Sequence, residues 1–106
     1  MGKNQALDEL GSLIANTIVH KILVEKTTKP ESINHLEKEE NEYRTQSFKR
    51  FKVYNWNAQN IEMLKEQIIR KIQNKFNNKY PDIDIINTDL YKLIEEEFDE
   101  LRIREN

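Results

Sequence analysis

The chain has 106 residues, 37% hydrophobic and 34% charged, with 17 basic and 19 acidic side chains and a formal net charge of −2. That length suits one domain spanning 1–106 with a thin core under a heavily solvated surface. Two glycines and two prolines are too few for a turn-rich all-β fold, and the absence of cysteine excludes disulfides and thiolate metal sites.

The first ten residues, MGKNQALDEL, place acids where the apolar core of a signal peptide would fall, and a cytoplasmic location is expected. The most apolar region, Leu10 to Val24, is interrupted by Asn16, His20 and Lys21, which argues against a membrane span. From Gln5 to Lys26 the apolar positions cover more than half of a helical circumference. Leu7, Gly11, Ile14, Ile18 and Ile22 form one face, with Gly11 and Ala15 small enough to admit a neighbouring helix. Leu10, Leu13 and Val24 extend the apolar surface to a second face. Such a helix is either central in its own bundle or shared with a partner, and a two-fold homodimer through the five-residue face is the simplest closed form of the second. The β-branched run Thr17-Ile18-Val19 weakens the helical pattern slightly.

Thr28 followed by Glu31 has the spacing of a capping box, with Pro30 tolerated in the first turn. From there Ile33, Leu36, Tyr43, Phe51 and Tyr54 share a helical phase, predicting one helix to about Tyr54, with Glu40 and Ser47 intruding on its stripe. The competing reading breaks this helix near Thr45 and forms short strands near 50–55 and 82–86, giving a small α+β fold. Asn57 predicts an N-cap for a third helix, with Trp56 and Ile61 as its hydrophobic staple. Ile61, Leu64, Ile68, Ile69, Ile72 and Phe76 then form a regular stripe to about Asn78. After an extended segment at 82–86, Asn87 is a candidate cap for a fourth helix, with Ile86 and Tyr91 as its staple. Leu90, Leu93, Ile94, Phe98 and Leu101 form the last stripe. The expected fold is therefore all-α, a small bundle of four helices. Lys65 and Glu97 occupy apolar positions, as a pair across a helix 3–helix 4 seam or as two independent snorkelling side chains.

Charge is segregated along the chain. Residues 41–79 carry nine basic and three acidic side chains, and residues 80–106 carry three basic and nine acidic ones. Either the two segments neutralise each other in the fold, or the basic one is a face for an anionic partner. The stretch Tyr43 to Asn57, YRTQSFKRFKVYNWN, interleaves aromatic rings with Arg44, Lys49, Arg50 and Lys52, as single-stranded nucleic-acid binders do. Arg70, Lys71 and Lys75 extend it.

Catalytic signatures are absent. There is no glycine-rich phosphate loop and no cysteine nucleophile. His35 and Glu39 share a helix face, but two ligands do not make a stable metal centre, so no catalytic residue, metal site or cofactor is assigned. The expectation is a non-catalytic regulatory or interaction protein, homodimeric and bound to a larger protein of unknown identity. The alternative is nucleic-acid binding through the 44–56 region.

Overall fold

In the computed structural model, which describes residues 2–26, 30–86 and 88–103, four helices follow one another: α1 (Lys3–Lys26), α2 (Pro30–Phe51), α3 (Ala58–Lys79) and α4 (Leu90–Leu101). No strand forms among the described residues, so the α+β alternative with strands near 50–55 and 82–86 is set aside. The 82–86 segment instead makes turns: Tyr80 and Ile85 carbonyls accept from the Ile83 and Thr88 amides, and Asp84 Oδ1 accepts from Ile86 N at 2.8 Å. No helix among the described residues is long and apolar enough to cross a membrane.

The excess apolar surface of α1 is used inside the chain. Both α2 and α3 pack along α1, α4 touches all three, and α2 and α3 do not pack on each other among the described residues. The contacts set the directions. Glu9 meets Arg50 and His20 meets Glu39, so α2 runs antiparallel to α1. Lys3 lies over Trp56 and Asp8 meets Lys71, so α3 runs parallel to α1. Lys65 of α3 meets Glu95 of α4, and Ile61 and Ala58 line a crevice with Phe98 and Ile103, so α4 returns antiparallel. Surrounded in this way, α1 buries Leu7, Leu10, Gly11, Ile14, Ala15, Thr17, Ile18, Val19, Ile22 and Leu23. The β-branched run does not interrupt it, because Thr17 returns its hydroxyl to the Leu13 carbonyl at 2.9 Å and its neighbours gain burial.

The helix ends follow local chemistry. α2 stops at Phe51, three residues before the predicted end. The reason is Trp56, whose indole N–H donates to the Phe51 carbonyl at 2.8 Å and whose ring stacks on Phe51 and meets the edge of Tyr54. With that carbonyl captured by a side chain, the chain turns instead of continuing the helix. The expected cap on Thr28 lies outside the described residues. Asn57 caps α3 as predicted, and Asn60 completes the box: each side chain accepts from the other's amide, at 2.8 and 3.2 Å.

The expected cap on Asn87 lies outside the described residues; α4 is capped by Asp89, its carboxylate accepting from Lys92 N at 3.1 Å. The proposed staple is not made, since Ile86 is 87% and Tyr91 67% exposed. The helix ends on Arg102 in the left-handed region (φ 59°), which lets Ile103 N reach the Phe98 carbonyl at 2.8 Å and turns Ile103 into the core.

Candidate nucleic-acid interface

Period 3.6 sorts the Tyr43–Asn57 stretch into two populations. Phe51, Tyr54 and Trp56 pack on the core, with Trp56 only 1% exposed. Tyr43 lies against the His20 ring. Phe51, Tyr54 and Trp56 form the joint between α2 and α3, while Phe48 remains 36% exposed.

The cations divide as well. Arg44 is drawn inward. Its Nε and Nη2 donate to the two oxygens of Glu97 at 2.8 and 2.9 Å, and Nη2 also reaches Glu40 at 2.9 Å. Glu97 is 1% exposed. The hydrogen bond to Glu97, set against the cost of burial and reinforced by Glu97 and Glu40 charge, pushes the Arg44 guanidinium further toward the charged form. Arg44, expected to contact an anionic partner, is in this fold the partner of a buried carboxylate.

Arg50 pairs with Glu9 at 3.0 Å, and Lys52 lies 4.1 Å from the centroid of the Phe48 ring. Lys49 is exposed beside Lys38, Asn41, Glu42, Thr45 and Gln46, a surface of mixed sign. The four cations do not converge on one basic surface. The Lys65–Glu97 pair is not formed either. Lys65 pairs with Glu95 at 2.8 Å, and that hydrogen bond raises its ammonium above the usual lysine value.

The five residues expected at a dimer face, Leu7, Gly11, Ile14, Ile18 and Ile22, are all buried among the chain's own helices. The cause is simple: the other three helices pack around α1 and cover that face within one chain. A Cβ on Gly11 would meet Gln67 Oε1 at 3.4 Å and the Lys71 stem at 3.6 Å, so the helix admitted by this small residue is α3.

His35 and Glu39 do face each other, at 2.9 Å, but Glu39 is shared with His20 at 2.5 Å. The other His20 nitrogen faces the Asn16 carbonyl at 2.8 Å. Among the described residues no group of three His, Cys, Asp or Glu side chains is placed to hold a metal ion.

The basic surface that does converge lies on the second half of α3. From Gln67 to Pro81 the sequence has no acid. Lys71, Lys75 and Lys79 recur every four residues, about one helical turn apart. They line a groove of about 380 Å³ with Asn74 and Asn78 of α3 and Ser12, Ala15 and Asn16 of α1. No residue of acidic α4 lines it. Lys71 pairs with Asp8 at 3.0 Å. Lys75 and Lys79 form no ion pair among the described residues, and Lys79 sits 5.7 Å from the Tyr80 ring centroid. Arg70 is exposed on the adjoining face. Neutralisation by the acidic segment is thus local, at Lys65–Glu95 and Arg44–Glu97. Lys79, Asn74, Asn78, Asn16 and Ser12 were not singled out in the sequence. The four-residue lysine period in an acid-free run was the available signal for the first. Comparison with known families, with characterised proteins and with solved structures finds no match.

Proposed function

We propose that this chain is a non-catalytic binding module for nucleic acid, holding the phosphate backbone in the α1–α3 groove. One observation carries the reading: Lys71, Lys75 and Lys79 share one groove with the amides of Asn16, Asn74 and Asn78. Ammonium groups supply the sequence-independent attraction for phosphate, and side-chain amides add directional donors that fix a strand in place. The lining holds no carboxylate or imidazole, the groups that most often act as general bases, which supports binding over catalysis. The reading moves the anion-binding surface from 44–56 to α3. It ranks above a homodimeric interaction protein because the apolar surplus that suggested a dimer is taken up by α2, α3 and α4.

Fluorescence anisotropy with a labelled single-stranded oligonucleotide of mixed sequence, titrated between 25 and 200 mM salt, tests this. Three lysine–phosphate contacts give a slope of log affinity against log salt of about −2, at about 0.7 per contact. Lys75→Gln with Lys79→Gln flattens the slope to about −0.7 and weakens binding, while Lys49→Gln with Lys52→Gln leaves both unchanged. No binding at the lowest salt, or equal losses in the two double variants, would overturn the assignment.

A further inference from the structure

On the other flank of α3 lies a second groove, of about 510 Å³, between α3 and the start of α4. Two of the most exposed large apolar side chains, Ile86 (87%) and Tyr91 (67%), both line it. Ile69, Ile85 and Leu90 add apolar surface, and Gln73, Asn74 and Asn77 supply amides. Asn74 lines this groove and the lysine groove alike. At about 100° per residue, Asn74 falls between Lys71, Lys75 and Asn78 on one side of α3 and Gln73 and Asn77 on the other. The two grooves therefore adjoin across the exposed face of α3.

Their chemistries differ in the way the two halves of a nucleotide differ. The first groove is cationic. The second has a ring, aliphatic surface and amides but no cation in its lining, and the one charged side chain that lines it, Asp89, is acidic. Asp89 lines it and Asp84 stands beside Ile85, each with one carboxylate oxygen accepting from a backbone amide. Carboxylates there repel a phosphate, whereas a neutral base is not excluded. Amides of Asn and Gln are suited to the polar edges of bases, and an exposed tyrosine ring to their faces.

We propose that Tyr91, Ile86, Gln73, Asn74 and Asn77 form a base-binding subsite. It takes one unstacked base from a strand whose phosphates lie along Lys71, Lys75 and Lys79, so the ligand is single-stranded. The inference rests on the reading under Proposed function and deepens it: α3 is a saddle with phosphates on one flank and a base on the other. Because a duplex keeps its bases stacked, it engages only the lysine groove.

The test uses the full chain and two labelled single strands of equal length and charge, one with mixed bases and one abasic throughout. Wild-type protein binds the base-bearing strand about tenfold more tightly, the scale of one stacking interaction. Tyr91→Ala, at a position too exposed to threaten the fold, lowers that strand to the abasic level and leaves the salt slope unchanged. Lys75→Gln with Lys79→Gln weakens both strands alike. Equal wild-type affinity for the two strands, with the salt slope intact, overturns the base subsite and leaves the phosphate groove standing. So does a Tyr91→Ala protein that still discriminates between the strands. Binding to neither strand overturns the phosphate groove and this subsite together.

Discussion

The Arg44–Glu97 pair offers the most direct test of how this fold is held together. Glu97 is buried, and both its oxygens accept from one guanidinium at 2.8 and 2.9 Å. Arg44→Ala leaves that carboxylate in the interior with no cation, while Glu40 and Glu100 remain nearby on the side Arg44 vacated. Losing one member of a buried pair costs about 3–5 kcal/mol. For a domain of this size each kcal/mol lowers the midpoint by about 4–8 °C, so the variant should melt at least about 12 °C below wild type. Replacing both partners, Arg44→Met with Glu97→Leu, removes the charge and the demand for it together. That variant should return to within about 1 kcal/mol of wild type. Thermal and urea unfolding followed by circular dichroism at 222 nm measures all three proteins. An Arg44→Ala loss below about 1 kcal/mol would place the pair among exposed ion pairs and refute its structural role. A double variant as unstable as the single one would refute the argument from the orphaned charge.

Two further substitutions probe the same core. Trp56→Phe keeps an aromatic ring but loses the indole donor to the Phe51 carbonyl and part of the buried volume, and should cost about 2 kcal/mol in urea unfolding; an unchanged midpoint would show that the bond does not hold the α2–α3 joint. Gly11→Ala places a methyl group at ordinary contact distance from the flexible Gln67 and Lys71 side chains while removing a helix-interior glycine. It should raise stability by up to about 1 kcal/mol, and a loss would mean that α3 is seated more tightly against α1 than those contacts imply.

What could be read from the sequence, and what could not, follows from the range of the forces involved. Helical periodicity is local, and it placed the stripes of the last two helices well: Leu64, Ile68, Ile72 and Phe76 of α3, and Leu90, Ile94, Phe98 and Leu101 of α4, are buried as their spacing requires. Asn57 was legible for the same reason, since a cap acts within four residues. The surplus on α1 was legible as a surplus but not as an assignment, because a second copy and three further helices of the same chain cover an apolar face equally well. Only the packing decides that Leu7, Gly11, Ile14, Ile18 and Ile22 are internal.

The seam charges show where local reading stops. Glu95 and Glu97 are two residues apart and so about 200° apart around α4. That rotation turns Glu95 toward Lys65 of α3 and Glu97 toward Arg44 of α2. The spacing showed that a charge lay in the stripe, while its partner depended on α4 bridging two helices that do not touch. The same limit displaced the candidate site. Aromatic and basic residues that alternate along 43–57 do not stay together once the fold turns Phe51, Tyr54 and Trp56 onto the core, draws Arg44 to Glu97 and leaves Phe48 and Lys52 outside. Lys71, Lys75 and Lys79 keep one flank because they recur at four-residue spacing. Their groove exists only because α1 runs parallel to α3 and brings Ser12 and Asn16 alongside. A binding surface whose two walls are lined by residues more than fifty positions apart in sequence requires the packing to be known. The lysine period is the part of it that a single helix records.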